Sequence, residues 1–219
     1  MKIYFIPGLG ADKRLFEKQK KLGVDFEVIE WVPPLANERL KDYALRLAEK
    51  IRDKENFILL GVSLGGIVAQ EIARVYPPKK LILISTVKSH HEIPFYLRLM
   101  QAIPFYKIFP AETLKSMGKL ARRILGGTNN IEGKQMREMI EDANPKFVKW
   151  AIHEVIHWRF DFTCINSVHL HGTSDILFPK FFIKKAKFLK GGSHIMIFTM
   201  AEEVNVFIAN ELKKNIDLI

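Results

Sequence analysis

Three short stretches of this chain carry residue types and spacings that could do nucleophilic chemistry. GVSLGG (61–66) sets Ser63 between glycines, after the apolar run NFILLG and before the helical stretch IVAQEIARVY. G-x-S-x-G between a strand and a helix thrusts a Ser hydroxyl out of a sharp turn above a sheet edge. Gly61 and Gly65 remove side chains that would clash there. A Ser hydroxyl is a poor nucleophile until a base takes its proton, and the base needs an orienting acid. HGTSDILFP (171–179) supplies Asp175, and GGSHIMIF (191–198) supplies His194, each after an apolar run. Taken singly, each has a plainer reading: a tight packing or phosphate-binding turn, a turn or helix-cap Asp, a surface-loop His. The order Ser, Asp, His, each at a strand end, favours the nucleophile, acid and base.

A second loop and a rival motif complete the set. IPGLG (6–10) follows the first apolar run directly. If the first and third strands are neighbours, this loop meets the 61–66 turn at the carboxyl ends of the strands, where ligands bind in doubly wound sheets. The backbone N–H groups of Leu9 and Leu64 would then face one point above Ser63 and form an oxyanion hole. Alone, the loop reads equally well as a plain turn. The rival is HEVIH (153–157), which matches the H-E-x-x-H pattern that holds zinc on one helix face with Glu as general base. A catalytic zinc needs a third protein ligand. His169 and His171 alternate with Val168 and Leu170 on an apparent buried strand, and a zinc protease would leave the Ser, Asp and His stretches unexplained.

These residues need a scaffold, and the hydrophobic pattern supplies one. Apolar, β-branched runs at 2–6, 26–31, 56–61, 80–85, 167–171 and 185–189 read as strands covered on both faces. Leu40, Tyr43, Ala44, Leu47, Ala48 and Ile51 draw one helical stripe, and Val204, Phe207, Ile208 and Leu212 another. Gly66, Ala69 and Ala73 keep one face of the helix after Ser63 small. This alternation predicts an α/β fold, a doubly wound, mostly parallel sheet of about six strands. It breaks between Val87 and Phe162, where helix-like pieces are cut by Pro94, Pro104, Pro110, Gly126-Gly127 and Pro145. Roughly 75 residues without a strand is too long for a plain crossover and predicts an inserted helical cap. The expected division is 1–86 with 163–219 as core and 87–162 as cap.

IPGLG, GVSLGG, HGTSDILFP and GGSH together resemble the α/β-hydrolase superfamily over nearly the whole chain outside the cap. The resemblance implies that family's sheet without its first two strands, a helical cap after its sixth strand, and acyl transfer. It implies Ser63 as nucleophile, Asp175 as acid, His194 as base, and Leu9 and Leu64 as oxyanion donors. Pro7 stands where relatives often carry a His, and the short gap from Asp175 to His194 leaves room for only a brief helix. A Ser at the elbow excludes relatives that form an alkyl-ester intermediate on a carboxylate. The expected activity is that of a serine hydrolase of carboxylesterase type, acting on a small, largely apolar ester or thioester. The alternatives are a non-hydrolytic lyase or binding protein of the same fold and, more remotely, a zinc metalloprotease through HEVIH.

The cap stretch 93–110 is rich in Phe, Tyr, Leu, Met and Ile, suited to lining an acyl pocket or to plain packing. Phe95, Tyr96, His153 and His157 are its candidate substrate contacts. His90 and His91 read as exposed loop residues near the cap hinge. At 219 residues, 48% hydrophobic and 26% charged, the chain has the make-up of one globular domain with an insertion. The net charge of +10 is spread over scattered lysine groups with no nucleic-acid module or stacking aromatics beside them. The single Cys164 suits a reducing cytoplasm and reads as a small buried hydrophobe. No run is long enough to span a bilayer, and MKIYFIPGLG is too short in apolar residues for a signal peptide. The expected partner is a small-molecule substrate, with no cofactor, metal, nucleic acid or membrane; the oligomeric state is left open.

Overall fold

The computed structural model describes residues 1–103, 109–113, 131–161 and 166–216. Cys164, Pro104, Gly126, Gly127 and Phe162 lie outside the described residues. The strands are β1 (Lys2–Ile6), β2 (Phe26–Val28), β3 (Phe57–Val62), β4 (Lys80–Ile84), β5 (Ser167–Gly172) and β6 (Lys187–Leu189). They form one six-stranded sheet in the order β2-β1-β3-β4-β5-β6. Every neighbouring pair is parallel.

The helices are α1 (Leu40–Leu47), α2 (Leu64–Val75), α3 (Phe95–Ala102), α4 (Ile131–Asp142), α5 (Pro145–His157), α6 (Met196–Thr199) and α7 (Ala201–Ile216). Lys13–Leu22 forms a 3₁₀ helix, opened by the Asp12 side chain accepting from Arg14 N–H and closed by Gly23 at φ 67°. No helix among the described residues is long and apolar enough to cross a membrane.

Strand residues alternate between two hydrophobic layers, as their side chains must. Tyr4, Ile6, Phe57, Leu59, Leu81 and Leu83 pack on one face with Tyr43, Ala44 and Leu47 of α1 and Ile67, Val68 and Ile72 of α2. Ile3, Phe5, Ile58, Leu60, Ile82 and Ile84 pack on the other with Leu15 and Phe16 of the 3₁₀ helix and Val204, Ile208 and Leu212 of α7. Covered on both faces, the strands can be apolar throughout, which is why their sequences show no polar alternation. Phe207, expected on the α7 stripe, is only partly buried beside this second layer.

Between β4 and β5 lie α3, α4 and α5, with no strand among the described residues. Between β5 and β6 the expected brief helix does not form. Pro179–Ile183 makes two consecutive turns instead, Phe182 N–H donating to Pro179 O at 2.9 Å and Ile183 N–H to Lys180 O at 3.1 Å. The first part of this connection, 173–178, is spent on the turn that carries Asp175 and Phe178, which leaves too little chain after it for a helix that packs back on the sheet.

Candidate active site

β1 and β3 are neighbours, so the loops that follow them meet at one end of the sheet. Ser63 follows β3 with φ 52° and ψ −118°, a backbone position that strains any residue with a Cβ. The surroundings hold it there. Ser63 N–H donates to Ile84 O at the end of β4 (3.0 Å), and Thr86 Oγ1 donates to Ser63 O (2.7 Å). A Cβ at Gly61 would sit 2.3 Å from Gly65 O, and one at Gly65 would sit 2.3 Å from Ile6 O and 2.4 Å from Pro7 O. Both positions therefore require glycine, and Gly65 lets the loop after β1 lie directly against the turn. Gly8 lies beside Ser63, and Trp31 Nε1–H donates to Gly8 O at 3.1 Å, fixing the loop that carries Leu9. Among the described residues, neither Leu9 N–H nor Leu64 N–H has a hydrogen-bond acceptor.

The loops after β5 and β6 bring the other two residues to the same place. Thr173 N–H donates to Leu189 O (3.0 Å) and Ser174 N–H to Gly192 O (2.9 Å), which ties the two loops together. His194 Nε2 lies 2.8 Å from Ser63 Oγ, and His194 Nδ1 lies 2.8 Å from Asp175 Oδ2. The pattern sets the tautomer: Nδ1–H donates to the carboxylate, and Nε2 is left to accept from the Ser hydroxyl. Ser63 is partly open to solvent, while Asp175 and His194 are 3% and 5% exposed. Burial pushes the Asp175 carboxyl upward. Attraction to the His194 ring and its hydrogen bond, with the Phe178 amide donating to Oδ1 at 2.9 Å, outweigh it and hold Asp175 below the usual carboxylate range.

No protein-family model and no curated protein matches the sequence. Solved structures do match the fold. A thermophilic esterase from Thermogutta terrifontis superposes with a TM-score of 0.69 at 20% identity, over 98% of this chain and 90% of that one. MenH from S. aureus gives 0.71 at 17% identity over 98% and 94%. The RedJ thioesterase of the prodiginine pathway in Streptomyces coelicolor gives 0.63 at 15% over 96% and 85%. The chain has the α/β-hydrolase fold. In this α/β-hydrolase sheet, Ser63, Asp175 and His194 stand after β3, β5 and β6, and the arrangement can pass a proton from Ser63 to His194.

His171 is a member of this cluster that sequence reasoning placed only on a buried strand. Fully buried at the end of β5, its Nε2–H donates to Phe178 O at 2.7 Å and lies 3.4 Å from Asp175 Oδ2. Burial lowers its pKa and favours the neutral ring, against the attraction of Asp175. The signal was the H-G-x-x-D spacing, which returns the chain through a turn onto the strand end it has just left.

The candidate contacts on the insertion divide. Tyr96 of α3 reaches the site loop, its hydroxyl lying 2.8 Å from Leu177 O and 3.1 Å from Ile176 O. Phe95 is 66% exposed and packs at 6.4 Å from Phe182. In HEVIH the two rings do share one face of α5, 4.3 Å apart, but His157 Nδ1 is engaged at 2.8 Å with His153 O. Glu154 turns away from them. Its carboxylate accepts from Leu40 N–H (2.8 Å) and Arg39 Nε (3.2 Å), capping the start of α1. It is therefore committed to a structural contact rather than held over a metal.

Proposed function

We propose that this chain is a serine hydrolase acting by acyl transfer through Ser63, His194 and Asp175. The observation that carries the reading is the 2.8 Å approach of His194 Nε2 to a Ser hydroxyl held at positive φ. Ser63 Oγ attacks the substrate carbonyl carbon as His194 Nε2 takes its proton. The carbonyl oxygen becomes an oxyanion, and the Leu9 and Leu64 amides donate to it. Collapse breaks the bond to the leaving alkoxide or thiolate, which receives the proton from His194. An acyl-enzyme remains. Water then attacks the acyl carbon, giving its proton to His194, and the second collapse returns that proton to Ser63 Oγ and frees the acid. Asp175, kept ionised by its lowered pKa, stabilises the imidazolium formed in each half.

The substrate class is a small, largely apolar ester or thioester. The names of the structural neighbours, esterases and a thioesterase among them, support this range. The segment 87–162 acts as a cap, with α3 and Tyr96 standing over the loop that carries Asp175. A panel of chromogenic esters and thioesters of rising acyl length tests the assignment. Short to medium chains should be hydrolysed, with kcat in Ser63→Ala reduced on the order of 10⁴-fold or more. Hydrolysis that persists in Ser63→Ala would rule the mechanism out.

A further inference from the structure

The neck of the helical insertion, where the chain leaves the sheet after β4 and returns before β5, gathers three metal-ligating side chains. His90 and His91 stand on the 3₁₀ turn His90–Glu92, and Asp161 follows α5. The two segments are joined by His90 N–H donating to Phe160 O at 3.3 Å. Asp161 Oδ1 lies 3.3 Å from His90 Nδ1 and 3.4 Å from His91 Nε2. The two rings face each other with centroids 3.9 Å apart. One ligand atom from each residue falls within 4.8 Å of the others, and no other such group of His, Cys, Asp or Glu occurs among the described residues.

These separations suit shared coordination better than direct hydrogen bonding. Strong N–H···O bonds close to about 2.7–3.2 Å. Zinc bound to His nitrogen and carboxylate oxygen at about 2.0–2.2 Å places neighbouring donors of a tetrahedron about 3.3–3.5 Å apart. Two imidazoles and a carboxylate are borderline ligands suited to first-row divalent metals, and three of them leave a fourth position for water. His91 and Asp161 are 64% and 67% exposed at their side chains, so an ion can reach them from solvent.

We infer that His90, His91 and Asp161 form a binding site for a first-row divalent cation of the Zn²⁺ type, which clasps the neck of the insertion. The ion competes with the Phe160 backbone, whose O and N lie 3.2 and 3.3 Å from His90 Nδ1. None of the three ligands belongs to the Ser63 cluster, so the site stands or falls independently of the proposed hydrolysis. Binding only the folded neck, the cation raises stability with the logarithm of its free concentration once that exceeds Kd. HEVIH, the metal-like pattern in the sequence, does not supply these ligands.

Isothermal titration of Zn²⁺ into tag-free, chelator-stripped protein tests this directly. His91→Ala and Asp161→Asn alter exposed side chains and should fold normally, which thermal unfolding checks. His153→Ala/His157→Ala serves as control. The expected result is one saturable Zn²⁺ per chain, weakened about tenfold or more in His91→Ala and in Asp161→Asn and unchanged in the control. The same titration with Co²⁺ should give the visible absorption of a tetrahedral site, lost in the same two variants. No saturable binding, binding that survives both substitutions, or binding lost only in the control would each overturn the inference.

Discussion

Asp175 gathers more donors than are needed to orient one imidazole. Its Oδ1 takes the Phe178 amide, its Oδ2 takes His194, and the fully buried His171 stands 3.4 Å from the same Oδ2. His171 thus holds the Phe178 carbonyl close beside the carboxylate, which makes it a positioning residue for the turn that carries Asp175. Replacing it with Phe removes the Nε2–H but keeps a ring of similar shape. Losing this neutral bond leaves the Phe178 carbonyl without its buried donor, at about 1–3 kcal/mol. His171→Phe should therefore lower kcat about tenfold or more while KM changes little, as steady-state ester hydrolysis would reveal; an unchanged kcat would remove His171 from the account. Asp175 also gives a signed pH dependence. Its folded pKa is depressed, so its stabilising contribution is complete above the usual carboxylate range. That contribution is lost as pH falls through the lowered folded value. The Tm gap between wild type and Asp175→Asn should accordingly narrow on acidification.

At the scale of elements, α5 is the strut that connects the insertion to the sheet layer. Glu154 caps α1, and Trp158, just past the C-terminus of α5, donates from Nε1 to Glu71 Oε1 on α2 at 2.7 Å. Glu154→Ala leaves the Leu40 amide and Arg39 without that acceptor. Urea unfolding should register a loss of about 1–3 kcal/mol while ester hydrolysis continues. A zinc protease using Glu154 as base would instead lose its activity with this side chain. Glu71 behaves oppositely to Asp175. Burial raises its pKa, and the Trp158 hydrogen bond only partly offsets this. Its ionised form is therefore a cost to the fold at neutral pH, relieved as pH falls through the raised value. Glu71→Gln keeps the acceptor for Trp158 without the charge. It should raise Tm at pH 8, with the gain fading toward pH 4; a gain independent of pH would contradict the burial argument.

For the whole molecule, the sheet was legible because a strand buried on both faces writes a continuous apolar run. KIYFI and KLILI stand where those runs predict, while the edge strands β2 and β6 are shorter than theirs. The three residues after β3, β5 and β6 were legible for a related reason: each loop carries its own local pattern, and the topology alone brings them together. The 3₁₀ helix Lys13–Leu22 was not, since four lysines dilute a buried stripe of only Leu15, Phe16 and Gln19. Nor were contacts between distant segments, such as Glu154 with α1 or Asp161 with His90 and His91, which no local spacing records. The HEVIH pattern shows the converse, a motif whose residues the fold commits to other partners.

An activated nucleophile at Ser63 is read out by intact-mass measurement after treatment with a fluorophosphonate. A single covalent adduct is expected, mapped to Ser63 by peptide sequencing, absent in Ser63→Ala, strongly slowed in His194→Ala and formed equally well with chelator present. Folded wild-type protein that takes up no adduct, or takes it up on another residue, would contradict it.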